Sequence, residues 1–200
     1  NKNNFFTDIS NYISYETGQP THCYDAQKFE DTFSLEIKEG EYEFETLLDK
    51  KIKLKDKNLV FMNGNNVFNL AGIMGGKNNS CSRDTNSVIV ECAYFHPEEI
   101  IGKSIKYDIK SDAAHKFERG VDPLCHETVL RRFLRLVEDH VTITNVELFK
   151  RTYQDYKIVE IPFNEERINS ILGTSLSKKE LKVYLEKLGL DVRDKKILSH

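Results

Sequence analysis

Glu91 stands in the run VIVECA (88–93), a carboxylate among valines, an isoleucine and an alanine. Burying such a group is costly unless something donates to it, so Glu91 is a candidate hydrogen-bond acceptor in a dry place. A glutamate facing water from an edge strand, or paired with a lysine, would fit the same run. His22, behind GQPT, is the second group with chemistry. An imidazole titrates near pH 6.5 and can position or deprotonate a water; it can also bond backbone at the turn behind Pro20. Asp25 is a candidate carboxylate to support it. Cys23 follows His22 directly, but neighbours in an extended segment point apart.

The stretch AGIMGG (71–76) raises a different question. Nucleotide sites need G-x-G-x-x-G leading into a helix, or G-x-x-x-x-G-K-[ST]. Gly72, Gly75 and Gly76 fit neither spacing, and the polar KNNSCSRDTNS follows where a helix would be. Side chains are absent here for a tight turn or for close approach to backbone. Lys103, Lys106, Lys110, Lys116 and Arg119 form one cationic set, and Arg131, Arg132 and Arg135 a second. Either could meet phosphates, and the second suits a solvated face equally. Glu118, Arg119 and Asp122 read as an ion-pair and capping network.

The elements that must position these groups follow from periodicity. Ile9, Tyr12, Ile13 and Glu16 have helical spacing, with Thr7 or Asp8 as cap and Gly18 as terminator. Phe33, Leu35 and Ile37 alternate, as do Tyr42, Phe44 and Thr46; KIKL, NLVFM and NVFNL continue the pattern between turns. SVIVECA is nearly continuous, as when both faces are covered. Pro97 opens a helix to about Tyr107, a second begins near Ser111, and a third runs from about Pro123 to His140. Leu130, Phe133, Leu134 and Val137 are its apolar stripe, and VTITNVELFK alternates as a strand. Residues 1–152 thus read as an α+β domain, a mostly antiparallel sheet with helices packed on it. After the linker-like RTYQDYK, residues 153–200 predict a small partial α+β unit. IVEIPF is a strand, Asn164 caps a helix through Leu172, and the capping box Ser177/Glu180 opens another that stops at Gly189. LDVRDKKIL is the next strand. A unit this small has little core of its own, which implies a segment of a longer protein.

Composition sets limits. The 200 residues are 39% hydrophobic, with 12 Phe and 9 Tyr, enough for a packed core. Charges are mixed in sign and sum to -3, unlike a disordered chain or a strongly basic nucleic-acid binder. No run of about 18 apolar residues predicts a membrane span, and NKNNFFTDIS lacks the apolar core of a signal peptide. Cys23, Cys81, Cys92 and Cys125 form no C-x-x-C pair, so reduced thiols in a cytoplasmic protein are expected rather than zinc or disulfides.

Four motifs stand in order: DISNYISYETGQPTHCYD (8–25), LAGIMGG (70–76), VIVECAYFHPEEI (88–100) and DAAHKFERGVDP (112–123). Together they resemble the B3/B4 domain of the β subunit of bacterial phenylalanyl-tRNA synthetases. The tail from Val159 resembles the start of the B5 domain that follows it there. The resemblance implies an editing site that hydrolyses Tyr misattached to phenylalanine tRNA. It makes Glu91 the acceptor for the Tyr hydroxyl, and Gly75 and Ala113 small residues lining the amino-acid pocket. Ser111 lines it too, where the family usually has Thr. It places His22 in the pocket, with Asn11, and Ser10 where Thr is common, near the scissile ester; plain helix surface is the alternative for those two. Lys103, Lys106 and Lys110 are the implied tRNA contacts. ATP and Mg²⁺ would belong to the whole synthetase, with no cofactor or metal in this segment. The partners implied are tRNA(Phe) and the synthetase α subunit in an α2β2 assembly, with no membrane. An editing-deficient structural or RNA-binding scaffold domain of the same synthetase is the alternative.

Overall fold

Alternating sequence becomes antiparallel pairing throughout a computed structural model that describes residues 4–29, 33–193 and 196–199. The chain divides into two compact units, Asn1–Leu148 and Phe149–His200. In the first, helix α1 spans Phe5–Thr17 and ends at Gly18, whose φ of 78° suits a residue without Cβ. Its N-cap is Asn4, whose side chain accepts from Thr7 N, rather than Thr7 or Asp8. The extra turn exists because Phe5 and Phe6 have a core to enter.

Strands β1 (His22–Asp25), β2 (Phe33–Lys38), β3 (Tyr42–Glu45), β4 (Lys51–Leu54), β5 (Asn58–Asn63), β6 (Asn66–Leu70), β7 (Met74–Gly75) and β8 (Val88–Glu91) follow. They form a four-stranded sheet in the order β2-β5-β6-β7, a β3-β4 hairpin and a β1-β8 ribbon. Helices α2 (Pro97–Ile100) and α3 (Lys103–Lys106) replace the single helix expected over 97–107. Gly102, at φ 77°, breaks it. Then come α4 (Asp112–Arg119) and α5 (His126–Glu138). The buried stripe of α5 is Val129, Phe133 and Val137, with Leu130 and Leu134 half-buried at its margins. The expected strand VTITNVELFK does not form, and its residues are almost all exposed. Alternation makes a strand only where another edge offers hydrogen bonds, and none among the described residues pairs with it.

Two apolar cores fill this unit. The larger gathers Tyr24, Phe44, Val60, Phe61, Phe68 and Leu70 with Phe95, Ile100, Ala114 and Phe117 of the α2–α4 region. Its rings meet mostly edge to face, as Tyr24 does with Phe68 at 5.1 Å. The smaller joins Ile9 and Ile13 of α1 to Val129, Phe133 and Val137 of α5. The β1-β8 ribbon lies between them. Ile89 and Ala93 enter the larger core, Val90 and Cys92 the smaller, so both faces of SVIVECA are covered.

The second unit pairs β9 (Val159–Pro162), β10 (Asp191–Arg193) and β11 (Lys196–Ser199) in the order β10-β11-β9. LDVRDKKIL is therefore a hairpin rather than one strand, and its Asp194 and Lys195 lie outside the described residues. Helices α6 (Glu165–Leu172) and α7 (Lys178–Lys187) carry the expected Asn164 cap and Ser177/Glu180 capping box. Leu181, Val192, Ile197 and Leu198 are its buried hydrophobics among the described residues. No described helix is long and apolar enough to cross a membrane.

Candidate functional site

Antiparallel pairing sets His22 of β1 directly across from Glu91 of β8. Residues opposite each other in such a pair share one face. Here it is the face of Tyr24 and Ile89, toward the larger core. Gly75 of β7 closes the site from the neighbouring sheet. A Cβ there would stand 2.6 Å from His22 Cε1, 2.7 Å from Nε2 and 2.8 Å from Leu47 Cδ1. Glycine is required at 75 because the imidazole already occupies that space. Positive φ, the other reason to omit a side chain, applies to Gly72 at 68°.

Glu91 is half-buried. Its Oε2 accepts from the Tyr24 hydroxyl. Tyr24, 1% exposed, accepts in turn from Asn69 Nδ2, which also lies 3.5 Å from Glu91 Oε2. Asn69 is 3% exposed, and its Oδ1 is buried with no partner. Burial pushes the Glu91 carboxyl up to about 7, against the pull of the Tyr24 hydrogen bond, which favours the ion. Burial pushes His22 down to about 4 and the Tyr24 phenol well above its usual value. Near neutrality His22 is therefore uncharged and Glu91 stands close to its midpoint.

The remaining candidates divide. Ser10 Oγ donates to Thr21 O at 2.6 Å and lies 2.9 Å from Thr21 Oγ1, tying α1 to the segment that leads into His22. Asn11 is exposed on α1, beside Tyr12 and Tyr15. Ser111 is the N-cap of α4, its Oγ accepting from Ala114 N at 3.2 Å, and Ala113 packs against the larger core. Asp25 takes Gln27 N at 3.1 Å and Thr85 Oγ1 at 2.7 Å; an odd number of residues from His22, it faces the other way. Cys23 likewise turns to the smaller core, and burial raises its thiol pKa, which leaves it a poor nucleophile.

Most of the cations serve the fold. Lys103 donates to Lys57 O at 3.0 Å and Lys106 pairs with Asp56 at 2.7 Å, fastening α3 to the β4-β5 turn. Lys116 donates to Ser14 Oγ at 2.7 Å. Arg131, Arg132 and Arg135 pair with Glu127, Glu16 and Asp139. Lys110 is exposed. Arg119 bonds His115 O at 3.0 Å, so its expected network with Glu118 and Asp122 is absent from the described bonds, although Asp122 does cap Leu124 N. Among the described residues no three His, Cys, Asp or Glu side chains gather as a metal site.

Tyr24, Asn69 and Gln19 were not among the candidates. Asn69 carried a usable signal, a polar residue inside the apolar strand NVFNL, as Glu91 is inside VIVECA. Tyr24 did not, because its reach to Glu91 depends on which strands pair. Gln19 is 1% exposed and donates from Nε2 to Pro20 O at 3.0 Å and Ala93 O at 2.9 Å, mooring the turn before β1 to the end of β8.

Residues 1–142 match the model of the B3/4 domain family. The chain is 31% identical over 191 residues to the phenylalanine–tRNA ligase beta subunit of Francisella tularensis, covering 94% of this chain and 24% of that protein. It is 34% identical over 189 residues to the subunit of the same name from Protochlamydia amoebophila, covering 93% and 24%. The chain thus spans about a quarter of the length of the curated relatives it matches. A crystal structure of an N-terminal fragment of the phenylalanyl-tRNA synthetase beta-subunit from Pyrococcus horikoshii aligns with 96% of this chain and 58% of that one, at 12% identity and a TM-score of 0.45. That likeness is too slight to argue from.

Proposed function

The chain belongs to the B3/4 domain family, and from that premise we propose that it is the part of a phenylalanine–tRNA ligase β subunit that hydrolyses Tyr misattached to tRNA(Phe). A synthetic pocket shaped for Phe cannot strongly reject an isostere that adds only a hydroxyl. A second site that selects for the hydroxyl corrects the error. The observation that carries this reading is the Glu91 carboxyl, half-buried across from His22, whose ring lies over the bare backbone of Gly75. One of its oxygens is engaged by Tyr24, and the other accepts a substrate phenol. Phe would leave that oxygen unpaired.

His22, held near pKa 4, is a weak base at neutral pH, so it orients water more than it deprotonates it. Water adds to the ester carbonyl, and the bond to the tRNA ribose oxygen breaks, releasing Tyr and free tRNA. Positioning and charge stabilisation supply the rate. Ser10 acts through Thr21, and Lys110, which is exposed, is a candidate cation to meet the tRNA. The reading places the chain in the cytoplasm, in an α2β2 enzyme with an α subunit, where ATP and Mg²⁺ serve the synthetic reaction. Glu91→Ala in that enzyme is expected to slow deacylation of Tyr-tRNA(Phe) about 10- to 100-fold, the loss of one hydrogen bond to a charged group. An unchanged rate overturns the proposal.

One observation favours a second reading, a scaffold without editing: Glu91 already has a phenol from its own chain. Accumulation of Tyr-tRNA(Phe) by the unaltered enzyme in excess Tyr would establish that reading instead.

A further inference from the structure

Tyr24 puts on Glu91 the same group that a Tyr substrate would bring, and it does not move aside easily. It is 1% exposed, with ring centroids of Phe29, Phe33 and Phe68 at 5.9, 6.4 and 5.1 Å. The His22 ring lies 4.5 Å away. Its hydroxyl is fixed from behind by Asn69 Nδ2, so the phenol proton has one direction to go, toward Glu91 Oε2. The result is a one-way chain of donors from amide to phenol to carboxylate. We propose that Tyr24, held by Asn69, is the positioning residue that aims Glu91 and keeps it an acceptor, leaving Oε1 for the phenol of an aminoacyl ester. The inference rests on the reading of Glu91 given above and extends it to two residues that touch no substrate.

The groups around Glu91 make the role necessary. Across the ribbon is His22, which burial keeps uncharged at neutral pH and which offers no positive charge. Cys23 and Cys92, close enough to feel the Glu91 charge, are thiols driven up in pKa by burial and remain neutral. Asn69 and Tyr24 complete the set, and their donors favour the ionised carboxylate. Without them burial alone acts on Glu91, which holds its proton to higher pH and then presents a donor where the carboxylate presented only acceptors.

The test follows the Glu91 carboxyl carbon by NMR across neutral pH in the full-length protein with ¹³C-labelled glutamate, Glu91→Gln identifying the signal. The same preparations are assayed for the ratio of Tyr- to Phe-tRNA(Phe) deacylation. The titration midpoint is expected near 7 in the unaltered protein. It should move up by about one pH unit in Tyr24→Phe. Asn69→Leu, which keeps the phenol and removes its anchor, should move it the same way by less. The pH at which preference for Tyr is lost should follow in step. A midpoint that stays put in both variants overturns the positioning role, whatever the deacylation result. A midpoint that moves while the unaltered protein shows no preference for Tyr upholds the donor chain and removes the reading of Glu91 as a substrate acceptor.

Discussion

On one side of the β1-β8 ribbon are His22, Tyr24 and Glu91; on the other, from residues interleaved with them, are Cys23, Val90 and Cys92. Both sides share one ladder of backbone hydrogen bonds, and both are largely shielded from water. They differ in what was supplied to receive a polar group. The first side meets Asn69, and the backbone of Gly75 over which the His22 ring lies. The second faces Phe133, Val129 and Ile13, and burial pushes the Cys92 thiol up to about 12. Burial alone therefore does not make a site. A carboxylate is tolerable on the first side because donors stand ready for it, and it would be ruinous on the second.

The largest expected effect tests whether the sides are independent. Phe133→Ala opens a cavity in the smaller core and is expected to cost about 3–5 kcal/mol in urea unfolding, with no change in the Glu91 titration. A shifted Glu91 midpoint would show that the two faces act as one body. Next comes pH. Glu91 is raised from its ordinary 4.5 to about 7, so its contribution to stability is complete below 4.5 and is lost as pH rises through 7. His22 is lowered from 6.5 to about 4, so its contribution is complete above 6.5 and is lost as pH falls through 4. Each shift amounts to about 3 kcal/mol, and the two slopes oppose each other across the same window. Glu91→Gln should leave stability rising with pH from about 4 to 6.5, and His22→Gln should leave it falling from about 4.5 to 7. Unfolding midpoints with the same pH dependence in both variants would contradict the picture of two jointly buried groups.

Gly75→Ala probes the polar side sterically. The added carbon must displace the His22 ring or the Leu47 methyl, for an expected loss of about 1–3 kcal/mol and a drop in deacylation. Unaltered stability and rate would mean that the ring has room to yield. Smallest is Arg132→Gln, which removes a two-pronged ion pair with Glu16 between α5 and α1. Partly exposed pairs contribute little and are screened by salt. A barely measurable loss, vanishing at high ionic strength, is expected, with deacylation unchanged.

Much of this contrast was legible in the chain. The first helix from Ile9 to its stop at Gly18, the run of alternating strands and the acid inside VIVECA follow from local spacing, because period is a property of neighbours in sequence. What escaped depends on partners far along the chain. VTITNVELFK alternates well and forms nothing, since a strand is completed by another edge. The Asn4 cap was missed because Phe5 and Phe6 reveal their value only once the smaller core exists. Glu91 stands out as an acid in an apolar run, but its hydrogen-bond partner Tyr24 does not, since the two are 67 positions apart. Ser111 shows the converse. Its role as helix cap is written locally, in a serine directly before DAAHKFER.

The interleaving on the ribbon has a consequence for folding. Sliding β8 by a single notch along β1 would swing every side chain to the opposite flank. The acid would land in the oily layer beneath α1 and α5, and a thiol would turn toward Asn69. Two strands of four residues thus screen their own alignment, because the misaligned form strands a charge that the aligned form satisfies.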